Sequence, residues 1–194
     1  IFRHNVPVSS LPQMPPQIEE PIFQDFRGTN RRKFKKAIIL DRDGTINEDS
    51  GYTFNVLGLQ ITKHFRNLIY SLPKSNHAIA SCVITNQSGV ARKKYTVEEM
   101  KAFNNALHSK LLQEFEYELS FFLCCVHSPT QKCLCRKPNI LSYKYAQEIL
   151  KISKKNIIAI GNKNSDLLAA KTFGIEYIDI ADLNILNKVM GFIN

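Results

Sequence analysis

An alternation that begins at residue 37 limits most sharply what this chain can fold into. Short apolar runs, AIILD (37–41), HAIASCVIT (77–85), LSFFLCCV (119–126), IIAI (157–160) and IEYIDI (175–180), are separated by longer segments with apolar residues at helical spacing. Those segments are ITKHFRNLIYSL (61–72), a long stretch to about residue 116, ILSYKYAQEILKI (140–152), and Asp166 to Phe173. Thr96 followed three positions later by Glu99 is a capping-box signature that opens the long helix, and Gly174 is placed to end the last one. Strands alternating with helices predict an α/β fold built on a doubly wound parallel sheet. In such sheets the reactive crevice lies beyond the carboxyl ends of the strands. Those ends deliver Asp41, Asp43, Thr85, Asn86, Asn162 and Asp166, small oxygen-bearing groups suited to a hard cation and a phosphate.

The segment ahead of this pattern is different. Residues 1–36 hold Pro7, Pro12, Pro15, Pro16 and Pro21, and proline fixes φ and removes a donor. The stretch is expected to resist helix and sheet and to form an extended linker or strap, residues 1–36, before a domain at 37–194. It ends in a basic run, Arg31-Arg32-Lys33-Phe34-Lys35-Lys36, read either as a solvated tail or as a docking patch toward another domain. A first residue of Ile rather than Met suggests a fragment or a processed chain.

Composition narrows the function classes. The 194 residues are 44% hydrophobic and 22% charged, the balance of an ordinary globular domain. No apolar run approaches the ~20 residues of a membrane span and no signal-peptide core opens the chain, so a cytoplasmic protein with no membrane partner is expected. A net charge of +9 suits a polyanionic partner: nucleic acid, anionic lipid or a phosphorylated small molecule. No aromatic and basic residues interleave as a base-stacking stripe, which disfavours nucleic acid.

The chemistry concentrates at DRDGT (41–45). Two carboxylates one residue apart, just past a buried strand, repel each other and lose hydration; a cation or a shared proton would relieve the conflict. The bland alternative is an Asp-Gly turn. DRDGTIN (41–47), TNQSGVAR (85–92), CRKP (135–138) and GNKNSD (161–166) match, in order, the motifs of haloacid dehalogenase-type phosphatases. Over roughly residues 37–180 the chain resembles the branch that holds D-glycero-D-manno-heptose-1,7-bisphosphate phosphatase and histidinol-phosphate phosphatase. The resemblance implies a Rossmann-like domain without a large cap and a phosphatase that needs Mg²⁺.

The same resemblance implies roles for individual residues. Asp41 would attack phosphorus to form an aspartyl-phosphate. Asp43 would protonate the leaving alcohol and later deprotonate the hydrolytic water. Thr85 and Lys137 would bind the phosphoryl oxygens. Mg²⁺ would be held by Asp41, the Asp43 main chain, Asn162 and Asp166, although the family has a carboxylate where this chain has Asn162. That missing charge predicts weakened Mg²⁺ binding and reduced activity, with Asp166 compensating in part through a bound water. The substrate body would meet Asp49, Ser50, Gly51, Tyr52, Asn86, Gln87, Ser88 and Arg136, Arg136 contacting a phosphate. Phe54 stands where the heptose branch usually has histidine.

A second constellation lies in CVHSPTQKCLC (125–135). Cys125, His127, Cys133 and Cys135 supply three thiolates and an imidazole, a closed tetrahedral set of the structural-zinc kind and distinct from the Mg²⁺ donors. Disulfides or buried free thiols are the alternative. The branch carries a zinc loop at this place, and its role would be to brace Arg136 and Lys137. Cys82 and Cys124 are read as core, and His4, His64, His77 and His108 as ordinary surface or core residues.

The loop between His127 and Cys133 is short, as in histidinol-phosphate phosphatases, whereas TNQSGVARKKYT is closer to the heptose branch. The balance favours D-glycero-D-manno-heptose 1,7-bisphosphate, and with it the heptose biosynthesis of lipopolysaccharide, over histidinol phosphate. Two other classes compete: a weakly active or non-catalytic phosphatase-like module of a larger protein, and a phosphatase acting on nucleic-acid ends.

Overall fold

The computed structural model describes residues 20–28, 33–73 and 78–194. Pro7, Pro12, Pro15, Pro16, Arg31, Arg32, His4 and His77 lie outside the described residues. Each apolar run named above becomes a strand: β2 (Lys36–Leu40), β3 (Ile79–Asn86), β4 (Phe121–Cys125), β5 (Ile157–Gly161) and β6 (Glu176–Asp179), preceded by β1 (Ile22–Asp25). The helices are α1 (Lys63–Ser71), α2 (Val97–Phe115), α3 (Leu141–Leu150), α4 (Asn164–Phe173) and α5 (Ile185–Ile193).

The sheet runs in the order β1-β4-β3-β2-β5-β6. From β4 to β6 all neighbours are parallel. The chain moves from β2 outward through β3 and β4, then returns to β5 on the other side of β2. The direction of winding therefore reverses at β2, and the crevice such a reversal opens lies at the carboxyl end of β2 between β3 and β5.

The sheet is mixed rather than wholly parallel, which corrects the expectation for residues 1–36 at one place. Ile22–Asp25 pairs antiparallel with β4, with Ile22 opposite Cys124 and Asp25 opposite Phe121. Pro21 restricts itself and its predecessor, not the residues that follow, so a strand can start directly after it. Phe23 packs on Phe121 with ring centroids 5.6 Å apart, and just beyond the strand Phe26 packs on Phe122. These contacts seat β1 on the edge.

The central strands are buried on both faces, which explains their unbroken apolar sequences. Side chains alternate between two cores. Ile38, Leu40, Val83 and Ile160 face α1, α2 and α5, where Phe65, Met100, Leu107 and Val189 meet them. Ala37, Ile39, Ile84 and Ala159 face α3 and α4 through Tyr143, Ala146, Ala169 and Phe173. The capping box forms: the Thr96 backbone N–H donates to Glu99 Oε2 (2.7 Å) and the Glu99 N–H to Thr96 Oγ1 (3.1 Å). Gly174 ends α4 at φ +84°, the left-handed conformation in which glycine has no Cβ penalty. No helix among the described residues is long and apolar enough to cross a membrane.

Candidate active site

Asp41 follows β2 directly, and its N–H still donates to Ile160 O of β5 (3.0 Å), so the ladder itself aims this carboxylate. The carboxylate is buried, 6% exposed. Lys137, brought in from the loop before α3, sets its Nζ 2.7 Å from Asp41 Oδ1, 2.7 Å from Asp166 Oδ1 and 2.6 Å from Ile84 O. Burial disfavours the charged lysine, but the two carboxylates outweigh it and raise the pKa above the ordinary lysine value. Burial likewise raises the Asp41 carboxyl, with Lys137 opposing and Asp166 and Asp43 adding to the rise. The ammonium is what makes two adjacent buried carboxylates tolerable.

Asp166 sits in the first turn of α4, where Lys163 N–H donates to its Oδ2 (3.0 Å). Gly161 makes room for it: a Cβ there would lie 2.5 Å from Asp166 Oδ2. With one oxygen on Lys137 and the other on a helix N-terminus, Asp166 is held within the protein behind Asp41. Asn162 projects from the same turn, and its Oδ1 accepts from the Thr45 hydroxyl (3.2 Å). Gly44, at φ +85°, lets the DRDGT turn close against it, because any Cβ at that position would strike the Asn162 amide.

Asp43 lies on the opposite side of the turn in a dense hydrogen-bond network. Arg42 donates through Nε to Oδ1 and through Nη2 to Oδ2 (both 3.0 Å), Asn47 Nδ2 donates to Oδ1 (3.0 Å), and Gln87 Nε2 to Oδ2 (2.7 Å). Burial alone would raise this carboxyl, but the Arg42 guanidinium and the hydrogen bonds from Asn47 and Gln87 hold it below its ordinary value of 3.8. Arg42 is itself fully buried, with its guanidinium 4.7 Å from the Phe103 ring centroid and further donors on Asn104 Oδ1 (3.0 Å) and Thr53 O (2.7 Å).

The remaining predicted residues divide into rim and interior. Asp49, Ser50, Gly51 and Tyr52 form an exposed loop, linked across the mouth by an ion pair from Asp49 to Lys163 (3.0 Å). Thr85 and Gln87 are buried, Gln87 Nε2 donating to Thr85 Oγ1 (2.8 Å). Asn86 and the Lys137 backbone exchange two hydrogen bonds of 3.0 Å, which ties the end of β3 to the lysine loop. Ser88 and Arg136 are half-buried; Arg136 Nη1 is shut off from solvent with no hydrogen-bond partner among the described residues.

Cys125, His127, Cys133 and Cys135 converge, all buried, with ligand atoms within 4.8 Å of one another. Cys125 Sγ stands 3.5 Å from Cys133 Sγ and 3.6 Å from His127 Nδ1, which is 3.2 Å from Cys135 Sγ. A tetrahedron of thiolates around zinc has edges of about 3.8 Å, so the cluster could hold one zinc ion. None of the five cysteines forms a disulfide. Cys125 ends β4 directly opposite Asn86, and Lys137 follows Cys135 by two residues, so the cluster abuts the carboxylate pocket.

Arg42, Asn47, Tyr95 and Asn104 went unnoticed in the sequence. An arginine between two aspartates could have drawn attention to the first. Asn47 closes the DRDGTIN stretch itself, four residues after Asp43; Tyr95 and Asn104 carry no local signal, because what matters is that α2 and its leading turn fold over the end of β2.

Comparison with known proteins bears on the family and the fold. The HAD-hydrolase-like family matches residues 134–181. D-glycero-beta-D-manno-heptose-1,7-bisphosphate 7-phosphatase of Helicobacter pylori (strain J99) is 35% identical over 141 residues, 69% of this chain and 76% of its own. The enzyme of that name from Haemophilus ducreyi is 31% identical over 73% of this chain and 80% of its own. A crystal structure of D,D-heptose 1,7-bisphosphate phosphatase from B. bronchiseptica, complexed with magnesium and phosphate, is 28% identical with TM-score 0.66, covering 73% of this chain and 78% of that one. A Mesorhizobium loti chain of HAD-like type, 22% identical, superposes with TM-score 0.75 over 90% of this chain and 96% of its own, a likeness of fold alone.

Proposed function

Because the chain belongs to the heptose-1,7-bisphosphate 7-phosphatase family of haloacid dehalogenase-like phosphatases, we propose that it hydrolyses a small phosphorylated sugar, D-glycero-D-manno-heptose 1,7-bisphosphate before histidinol phosphate, by way of an aspartyl-phosphate. The observation that carries the reading is Lys137 Nζ, 2.7 Å from both Asp41 and Asp166 at the point where the sheet reverses its winding.

In this reading Asp41 is the nucleophile. Its carboxylate forms a bond to phosphorus as the bond to the leaving alcohol breaks, and Lys137 offers charge to the phosphoryl oxygens without leaving the pocket. Thr85 adds a hydroxyl donor. Asp43 gives a proton to the alcohol oxygen and takes one from the water that hydrolyses the phosphoaspartate. Arg42 keeps Asp43 ionised in the free protein; an arriving phosphate dianion is the charge that pushes its affinity for a proton upward.

The Asp41 carboxylate, the Asp43 carbonyl and the Asn162 amide are hard oxygen donors, and Gly44 lets the turn bearing the first two press against Asn162. That donor set fits Mg²⁺. These three would hold the ion, with Asp166 contributing through a water. When bound, the ion supplies positive charge that offsets the repulsion between Asp41 and the phosphate. The Cys125, His127, Cys133 and Cys135 cluster is proposed to hold structural zinc and to fix the loop that presents Arg136 and Lys137. Arg136 and the Asp49–Tyr52 loop are assigned to the substrate body.

Phosphate release by the purified protein with Mg²⁺, measured on heptose 1,7-bisphosphate, histidinol phosphate and an aryl phosphate, tests the reading. Preference for the heptose ester is expected. Preference for histidinol phosphate would redirect the substrate assignment, and no release from any of the three would favour a non-catalytic module.

A further inference from the structure

We propose that Gln87 is a positioning residue: its side-chain amide fixes the Asp43 carboxylate in one orientation and couples it to Thr85, so that protonation of the leaving group depends on Gln87. The inference rests on the assignment of Asp43 as the acid.

Gln87 is 2% exposed and its amide is saturated. Nε2 donates to Asp43 Oδ2 (2.7 Å) and Thr85 Oγ1 (2.8 Å). Oε1 accepts from Arg42 Nη2 (3.0 Å) and the Tyr95 hydroxyl (2.5 Å). A primary amide has two N–H donors and two oxygen lone pairs, so none is left for a substrate. The orientation is also locked. Guanidinium nitrogen cannot accept, and a carboxylate cannot donate. Turning the amide over would set Oε1 against Asp43 and the NH₂ group against Arg42, losing two hydrogen bonds and gaining a repulsion.

The elements around the amide hold it there. The Tyr95 ring stacks on Phe54 at 5.1 Å, and Gly89 has no Cβ to strike that ring. Arg42 Nη2 shares its two N–H groups among Gln87 Oε1, Asp43 Oδ2 and Thr53 O. The turn bearing Asp43 and the end of β3 bearing Thr85 therefore meet at the Gln87 side chain, and Thr53, just past the loop assigned to the substrate body, is tied to it through Arg42. In the transfer step the P–O bond to the alcohol breaks while the Asp41–phosphorus bond forms, and the proton moves from Asp43 to the alcohol oxygen. Gln87 takes no proton; it donates to Oδ2 of the carboxyl group that gives one.

The test compares phenyl phosphate with p-nitrophenyl phosphate, esters of similar shape whose leaving groups differ in their need for a proton. The measured quantity is kcat/KM, which covers steps through phosphorylation of Asp41, for the intact protein with Mg²⁺. Asp43→Asn should lose more on phenyl phosphate than on p-nitrophenyl phosphate. Gln87→Met, of similar length and without hydrogen-bonding groups, should show the same bias, its loss about tenfold greater on phenyl phosphate. Tyr95→Phe keeps the ring packing and removes one donor to Oε1; it should show the bias at smaller size, and it carries the test if Gln87→Met does not fold. Equal losses on the two esters in both variants, with the bias intact in Asp43→Asn, would reduce Gln87 to a packing role and overturn the inference. A bias absent from Asp43→Asn itself would overturn the assignment of Asp43, and the inference with it.

Discussion

Asn162 offers a metal an amide oxygen without a negative charge, at a turn pressed against the DRDGT loop. A unit charge about 4 Å from a cation is worth on the order of 4 kcal/mol at an intermediate dielectric, before solvation offsets much of it. Asn162→Asp is therefore expected to tighten Mg²⁺ binding by about tenfold or more, read by titration calorimetry on the protein without substrate. An unchanged affinity would show that the side chain does not face the ion. Lys137→Met removes the cation that pairs with both Asp41 and Asp166 and should cost about 3–5 kcal/mol in denaturant unfolding, because two carboxylates are left buried side by side. Asp43 has a further pH signature. Its carboxyl is held below 3.8, so its stabilisation is present above that pH and disappears as pH falls through the folded-state value. Asp43→Asn should accordingly be less stable than the parent at neutral pH, with the gap narrowing in acid; a gap constant with pH would contradict the Arg42–Asp43 pairing.

Much at this scale was legible in the sequence, since Asp41, Asp43, Thr85, Lys137 and Asp166 fall on local motifs. Arg42 was not. Its partners come from positions 43, 53, 87 and 104, and no spacing rule links those. Gln87 was legible as a residue of the site, but its direction was not: which way an amide points is set by Arg42 and Tyr95.

Among the elements, the central strands were easiest to foresee, because burial on both faces leaves an uninterrupted apolar run. β1 was obscured by Pro21 and by its shortness, and it becomes a strand only because β4 offers an edge. α5 did carry a signal, Ile185, Val189 and Phe192 at helical spacing with Asn187 and Lys188 on the exposed side, but without an N-cap side-chain bond to mark its start. The Cys/His loop is the element whose contribution can be isolated. About one zinc per chain is expected by elemental analysis, and Cys133→Ser or a strong chelator should lower the melting temperature and the activity together, since the loop also holds Lys137. Full activity after complete zinc removal would separate the loop from the phosphatase site.

Across the whole molecule, the excess positive charge of +9 has a functional reading once the site is placed. Lys163 stands at the mouth, and Arg92 lies 6.0 Å from the Tyr52 ring on the same rim. A bisphosphate substrate should therefore show a KM that rises with ionic strength while kcat changes little; a KM indifferent to salt would remove charge steering. The sheet's reversal at β2 makes that gathering useful, because it opens the crevice where Asp41, Lys137 and Asp166 meet. The most direct measurement follows from this arrangement. The protein, mixed with Mg²⁺ and a substrate carrying a radiolabelled phosphoryl group and quenched in acid, should retain label on the peptide containing Asp41, and hydroxylamine should release it. Steady turnover with no label on that peptide, or turnover undiminished in Asp41→Asn, would contradict the account.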